Sequence, residues 1–360
     1  MFSLKEKDIL VCGPLSMVTG QSKVTQLALD QFREGEFRRV YCVDNSNRSS
    51  LCSRLASNFL VLTKLVFLRF VKRWHKGDVV YFTPSRSVAG SITDFLLLFL
   101  YGRKSSALVV GHLHGADMKN FLNSGRYGGV LSGMYSRYLD RMILLSPSHA
   151  GFALDKSYDR YVVISNPCSF EVESRKVVDK SKGITEFFFA SVPIESKGLD
   201  ESLKFVNEFA REVKERVHIR IAGWSTADYL REYKQDFTAL VDADNLSVTF
   251  MGMLAKSEMK RWMARSDVFV FLTRYPSEAQ PLVVIEALKS GCPVVLSNHN
   301  FLKDFAVYQG VIYGDEDKAA QRLTYLLGKS EIMSVVSEKV SIDFSLDVFK
   351  RQILLAVSDA

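Results

Sequence analysis

The sequence predicts an α/β protein built as two tandem, doubly wound domains. Three observations carry that expectation. At 360 residues the chain is longer than a single hydrophobic core usually supports. Short apolar runs alternate with helical stretches, the pattern of a mostly parallel sheet with helices on both faces. The alternation breaks at a polar stretch after residue 170 and then begins again.

In the first half, ILVC (Ile9–Cys12), VYCV (Val40–Val43), VVYF (Val79–Phe82), LVV (Leu108–Val110), MILL (Met142–Leu145) and VVI (Val162–Ile164) are too short for helices and read as strands. Helical candidates lie between them, at 23–33, 89–100 and 127–140. In the second half, EFFFA (Glu186–Ala190), HIRIA (His218–Ala222), SVTF (Ser247–Phe250), VFVFL (Val268–Leu272), PVVL (Pro293–Leu296) and VIY (Val311–Tyr313) repeat the pattern. Their helical partners are expected at 199–211, 226–237, 256–264, 282–290 and 317–327. Residues 171–182 show no hydrophobic period and read as a linker. The expected organisation is a first domain over 1–170, a linker over 171–183 and a second domain over 184–345. A terminal helix over 346–360, with an apolar stripe of Val348, Ile353, Leu354 and Val357, is free to pack back on the first domain.

Composition is ordinary for a globular protein, 47% apolar and 24% charged, which excludes a disordered chain. No run approaches the roughly 18–20 apolar residues of a spanning helix. MFSLKEKDILVCGPL leads into a strand without a signal-peptide core, so a cytoplasmic location is expected. The five cysteines are scattered, odd in number and never in a CxxC pair, which argues for a reducing compartment and against structural zinc. Charge is uneven. Residues 1–180 hold 25 Lys/Arg against 15 Asp/Glu, and residues 181–360 hold 22 against 25. The basic excess belongs to the first half, where anionic lipid, nucleic acid or phosphorylated ligands are conceivable partners.

PSEAQPLVVIEALKSGCPVV (Pro276–Val295) places Glu278 and Glu286 eight apart in a stretch that otherwise reads as core. A buried carboxylate is costly unless something hydrogen-bonds it. A plain solvated stripe explains the pattern as well, because Glu286, Lys289 and Ser290 share one helical sector of about 100°.

The order of strand (Val268–Leu272), loop with Ser277 and Glu278, helix with Glu286, and Gly291-Cys292-Pro293-Val294-Val295 resembles the E-x7-E signature of retaining GT-B glycosyltransferases, chiefly family 4. The resemblance implies a GT-B fold. Two Rossmann-like domains would face each other across a deep cleft, the first binding the acceptor and the second the nucleotide-sugar. It implies that Glu286 accepts hydrogen bonds from the ribose hydroxyls and that Glu278 lies by the donor sugar. It also sets Gln280, Pro281 and Leu282 at a helix start, where free backbone N–H groups meet a diphosphate.

Lys197-Gly198, in SVPIESKG, resembles the family's GRLxxEKG segment, whose lysine neutralises the diphosphate. Val192 stands where the family has arginine and Ser191 where it has glycine. Lys197 would then carry the charge alone or with another arginine such as Arg274; an exposed lysine at a helix start is the plain alternative. Gly13 and Gly20 bracket the first strand–helix loop, which faces the donor in the family. They fit neither GxGxxG nor the P-loop pattern. Gly223 and Gly252 match strand-end glycines of the nucleotide pocket. In LVVGHLHGADM, His114-Gly115 aligns with a recurrent HG feature, which makes His114 a candidate catalytic group. Asp117, Ser85 and Arg86 are candidates for the acceptor or sugar side. A metal site at His112, His114 and His149 lacks ligand spacing. Asn166-Pro167 resembles the NP turn before the linker. Asp242-Ala243-Asp244 is a DxD in a polar turn and reads as solvated, so neither a metal nor a cofactor is expected.

The segment from Arg54 to Lys76 mixes long apolar residues with Arg54, Lys64, Arg69, Lys72, Arg73 and Lys76, and no acid follows until Asp78. Such a helix suits the interface of an anionic bilayer, or is simply a domain helix buried on one face. No nucleic-acid motif accompanies the charge.

The resemblance implies transfer, with retention, of a sugar from a UDP-, GDP- or ADP-sugar donor to a surface-glycan or lipid-linked saccharide acceptor, at the inner face of a membrane. A nucleotide-sugar 2-epimerase of the same fold and a non-catalytic nucleotide- or sugar-binding module remain as alternatives.

Overall fold

The computed structural model describes residues 4–16, 19–35, 37–46, 51–103, 107–124, 126–149, 160–169, 183–299 and 301–358. The chain divides into two compact units. Unit 1 comprises Met1–Pro167 with Leu346–Ala360, and unit 2 comprises Cys168–Ser345. The expected linker lies outside the described residues except for Gly183.

Unit 1 contains β1 (Asp8–Gly13), α1 (Gly20–Glu34), β2 (Arg39–Asp44), α2 (Leu51–Val71), β3 (Val79–Phe82), α3 (Val88–Leu97), β4 (Leu108–His112), α4 (Met118–Asn123), α5 (Arg126–Tyr138), β5 (Arg141–Leu144) and β6 (Tyr161–Val163). Its strands pair in parallel in the order β2-β1-β3-β4-β5-β6. Strands β1, β3 and β4 are buried at every position, which is why they read as unbroken apolar runs. One face packs on α2, α3 and α5 through residues such as Val80, Phe82, Leu65, Leu97 and Tyr135. The other packs on α1 through Val11, Tyr81, Val110 and Phe32.

Unit 2 contains β7 (Ile184–Ala190), α6 (Leu199–Glu212), β8 (Arg216–Ala222), α7 (Thr226–Tyr233), β9 (Leu246–Gly252), α8 (Lys256–Arg265), β10 (Val268–Phe271), α9 (Leu282–Lys289), β11 (Val294–Leu296), β12 (Val311–Tyr313), α10 (Ala319–Leu327) and α11 (Ser330–Asp343). Its sheet is parallel in the order β12-β11-β10-β7-β8-β9. The helix expected over 226–237 ends at Tyr233 because Lys234 turns left-handed, with φ 55°.

The final helix, α12 (Leu346–Ser358), belongs to unit 1. Phe349, Ile353, Ala356 and Val357 join the α1-side core. Lys7 Nζ donates to the Ser358 carbonyl at 3.0 Å, and Arg141 donates to the Ala356 carbonyl at 2.6 Å. The helix end is thereby capped by cations, which its dipole favours.

Strand order locates the ligand edge. In doubly wound sheets, ligands bind beyond the carboxyl ends of the strands, where successive connections run in opposite directions. That switch point falls between β1 and β3 in unit 1 and between β7 and β10 in unit 2.

Candidate functional site

At the switch point of unit 2, the segment after β7 meets the segment after β10. Lys197 closes a short turn (Glu195–Lys197) ahead of α6, and Gly198 follows with φ 76°. A Cβ at Gly198 would overlap the Leu272 carbonyl oxygen, so only glycine lets the turn pass this close to β10. Ser202 ties the two together, donating to the Gly198 carbonyl at 2.7 Å and accepting from the Leu272 N–H at 3.2 Å.

Lys197 Nζ contacts Glu278 Oε2 at 2.7 Å and lies 4.2 Å from the centre of the Tyr275 ring. Sequence reasoning gave Lys197 and Glu278 separate tasks; the structure makes them partners, with Glu278 only 9% exposed. Arg274, the other candidate cation, pairs with Glu201 at 2.8 Å, with Glu195 at 3.7 Å. Val192, in the place of the family arginine, is exposed.

Helix α9 begins after Pro281, and no side chain caps it. The N–H groups of Leu282 and Val283 thus point out of the first turn. Glu286 is half-buried, Ser290 is buried and donates to the Glu286 carbonyl, and Lys289 donates to the Cys168 carbonyl at 3.2 Å. The sector shared by these three residues is not an open solvated stripe.

Two glycines shape the neighbouring strand ends. Gly223 (φ 83°) lies against the Ser191 carbonyl, and its N–H donates to the Gly252 carbonyl at 2.7 Å. Gly252 (φ 65°) has open space where a Cβ would stand, so conformation alone asks for glycine there. Trp224 Nε1 donates to Ser191 Oγ at 2.9 Å, a contact between segments 33 residues apart that no local motif announced.

In unit 1, Gly13 ends β1 with Thr25 and Thr83 packed against its Cα, so its need is steric and its φ is ordinary. Gly20 begins α1 behind the Thr19 cap. Asp44, at the end of β2, fixes the loop by accepting from the Leu15 N–H at 3.0 Å, from Ser46 and from the Ser16 hydroxyl.

After β4, Asp117 pairs at 2.8 Å with Arg86 from the segment after β3, whose guanidinium occupies the space a Cβ at Gly115 would need. His149 Nε2 donates to the Gly115 carbonyl at 3.1 Å and its Nδ1 accepts from the Leu145 N–H at 3.3 Å, so neither nitrogen is presented to a metal. Among the described residues, no group of three His, Cys, Asp or Glu is placed to hold one. Asp242, in the DxD, is exposed, accepting from Asn207 at 2.8 Å and pairing with Arg211.

Ser85 is held from below. Its N–H donates to Asp94 at 2.6 Å, and the Tyr135 hydroxyl donates to the same oxygen at 2.8 Å. Burial nevertheless pushes the Asp94 carboxyl up to about 7. An unfolded aspartate loses its proton at about pH 4, so between about pH 4 and pH 7 the folded state binds more protons, and stability falls as pH rises. Thermal melts of unit 1 should therefore be higher at about pH 5 than at about pH 8 from this group. Asp94→Asn should flatten that slope, because the amide keeps an acceptor without the charge.

Helix α2 is apolar on its outer as well as its inner face. Phe59, Phe67 and Phe70 are 70%, 63% and 80% exposed, beside exposed Leu60, Val71, Lys64 and Arg73. Lys72 is drawn inward instead, contacting Asp8 at 2.7 Å and Asp78 at 3.0 Å. The Arg54 side chain lies outside the described residues. No helix among the described residues is long and apolar enough to cross a membrane.

Residues 185–329 match the family model described as Glycosyl transferases group 1. Unit 2 thus carries a glycosyl transferases group 1 domain, and the fold of the chain is GT-B. A glycosyltransferase structure from Rickettsia africae ESF-5 covers 99% of this chain and 100% of its own at TM-score 0.66 and 13% identity. TarM matches 83% of this GT-B chain and 58% of its own at TM-score 0.60 and 15% identity. A curated relative, the alpha-monoglucosyldiacylglycerol synthase of Streptococcus pneumoniae (strain ATCC BAA-255 / R6), is 29% identical over 136 residues, 37% of this chain. The match spans only 30% of that relative's length. Lys197, Glu278 and Glu286 all fall inside the family match, whereas His114 and its neighbours lie outside it.

Proposed function

We propose that this GT-B glycosyltransferase transfers a sugar, with retention, from a nucleoside-diphosphate-sugar to a saccharide or lipid-linked acceptor. The Lys197–Glu278 pair at the switch point of unit 2, inside the matched domain, carries the reading. A cation paired with Glu278, on the loop that leads into an uncapped helix start, is suited to a diphosphate.

In this mechanism the bond from the anomeric carbon to the diphosphate breaks, and Lys197 with the first-turn amides of α9 stabilises the departing charge. The acceptor oxygen bonds to the same face of the sugar, and its proton passes to a donor phosphate oxygen. Within unit 2, Glu286 would accept from the ribose hydroxyls and Glu278 would contact the donor sugar; in unit 1, His114 would offer its imidazole to a sugar hydroxyl at the ligand edge. Lysine and amides supply the charge that a metal supplies in other transferases, so transfer should persist in a chelator.

A TarM complex contains UDP and α-GlcNAc-glycerol, and the curated relative is named for a glucosylated diacylglycerol. These support a UDP-sugar and a glycerolipid as first choices, with GDP- and ADP-sugars as the other arms. Incubation with labelled donor and acceptor, read by NMR, should give a glycoside of unchanged anomeric configuration. An inverted product contradicts retention; conversion of donor alone to a new nucleotide-sugar indicates an epimerase; no conversion of any donor indicates a binding module.

The outer face of α2 supports peripheral contact with anionic lipid on the cytoplasmic side of a membrane, since exposed phenylalanines there sit among cations. Phe67→Ser/Phe70→Ser should weaken co-sedimentation with phosphatidylglycerol vesicles by about tenfold or more. Unchanged sedimentation, or equal binding to neutral vesicles, contradicts this reading.

A further inference from the structure

Half of the six histidines gather at or after the carboxyl ends of β4 and β5, and His112 is one of two with no place in the mechanism above. His112 is the last residue of β4 and is fully buried. It stands in a column of rings that climbs from the core to the ligand edge. Phe32 meets Tyr81 at 5.2 Å, Tyr81 meets His112 at 5.9 Å, and His112 meets His114 at 4.1 Å between centroids. The Tyr81 oxygen lies 2.6 Å from His112 Nδ1.

That contact determines where the His112 proton sits. Tyr81 is fully buried, so its hydroxyl proton needs an acceptor, and His112 Nδ1 is the acceptor within reach. Nδ1 is then unprotonated and the hydrogen of the neutral ring is on Nε2. The Nε2 atoms of both His112 and His114 are buried without a partner among the described residues, as expected of polar atoms reserved for a ligand hydroxyl or water.

We propose that His112 is a positioning residue for His114: the Tyr81 hydroxyl fixes its Nε2–H tautomer, and its ring backs His114 as a neutral, oriented imidazole for a sugar hydroxyl. The proposal rests on the glycosyl-transfer reading for its catalytic consequence, and on this geometry alone for the state of the two rings.

The charges around His114 agree with it. His112 flanks it on β4, Arg86 from the segment after β3, and His149 from the segment after β5; Asp117 is engaged by Arg86. Burial, then His112, Arg86 and His149, hold the His114 imidazole well below its usual range. Burial and His149 lower His112 to about 3. A neutral ring is also what the reaction needs, because an imidazolium would oppose positive charge building at the anomeric carbon.

Imidazole NMR on the full chain tests this without substrate. In the wild type, His112 should show the Nε2–H tautomer, and His114 should stay neutral where a free imidazole titrates, about pH 6.5. His112→Asn should raise the His114 pKa towards that of a free imidazole, because the smaller side chain admits water beside a ring that burial keeps neutral. Tyr81→Phe, which keeps the ring packing, should convert His112 to mixed tautomers. In transfer assays, His112→Asn should lower kcat about tenfold and leave the donor KM within about twofold. An Nδ1–H tautomer in the wild type, or an unchanged His114 titration in His112→Asn, overturns the proposal. Lost transfer with the NMR arms intact in the wild type points instead to a failure of the glycosyl-transfer reading.

Discussion

Lys197→Ala lowers kcat/KM for glycosyl transfer by about 10²–10³-fold, the loss expected when one donor to a developing anion is removed. The same substitution has a second effect that must be separated from the first. Glu278 loses its partner at 2.7 Å, and at 9% exposure water replaces little of that contact. Breaking a buried ion pair by removing one partner costs about 3–5 kcal/mol. Lys197→Met/Glu278→Gln removes both charges, so its melting temperature should return close to that of the wild type while transfer stays low. If transfer recovers along with stability, Lys197 is only an ion-pair partner and the diphosphate role is wrong. Melting curves and turnover on the same three proteins settle the matter.

Gly198→Ala is expected to be the most damaging small substitution. Its φ of 76° disfavours any side chain, and the new methyl group would also meet the Leu272 carbonyl. Together these cost about 3 kcal/mol or more. For a unit of this size that lowers the melting temperature by roughly 6–12 °C. Lys197 rides on the same turn, so donor affinity should fall in parallel. Gly252→Ala is the control: it shares the positive φ but has open space around it, and it should lose only about 1–2 kcal/mol. Equal losses at the two glycines would show that the close approach to β10 contributes nothing.

Much of the fold was legible because parallel strands are buried on both faces. Val79–Phe82 and Val311–Tyr313 are strands with the boundaries that their apolar runs implied. Helix α11 was not foreseen: its buried residues are Met333, Val336 and Val340, but exposed Val335 and Ile342 blur the stripe. Strand β4 extends two residues beyond its apolar run, because the Nδ1 of buried His112 pairs with the Tyr81 hydroxyl rather than with water.

The candidate site was legible by residue type and not by partner. Lys197, Glu278 and Glu286 stand out by motif, yet the Lys197–Glu278 contact joins positions 81 apart and no local pattern encodes it. The same holds for Tyr81 and His112, 31 apart, and for Tyr135 and Asp94, 41 apart. Such pairs arise from strand order, which sets segments distant in sequence side by side. The sector of Glu286 was ambiguous for another reason: a helical wheel gives direction but not what lies opposite. Here Ser290 is buried and Lys289 is bound to a carbonyl, which removes the open-water alternative.

The central claim is that unit 2 binds a nucleoside-diphosphate-sugar through Lys197 and Glu286. Calorimetric titration of the wild type, Lys197→Ala and Glu286→Ala with UDP-, GDP- and ADP-sugars tests it most directly. One donor should bind the wild type, and each substitution should weaken that donor by about tenfold or more, as expected for lost charge-assisted hydrogen bonds. Binding of no donor, or equal affinity in all three proteins, would contradict the account.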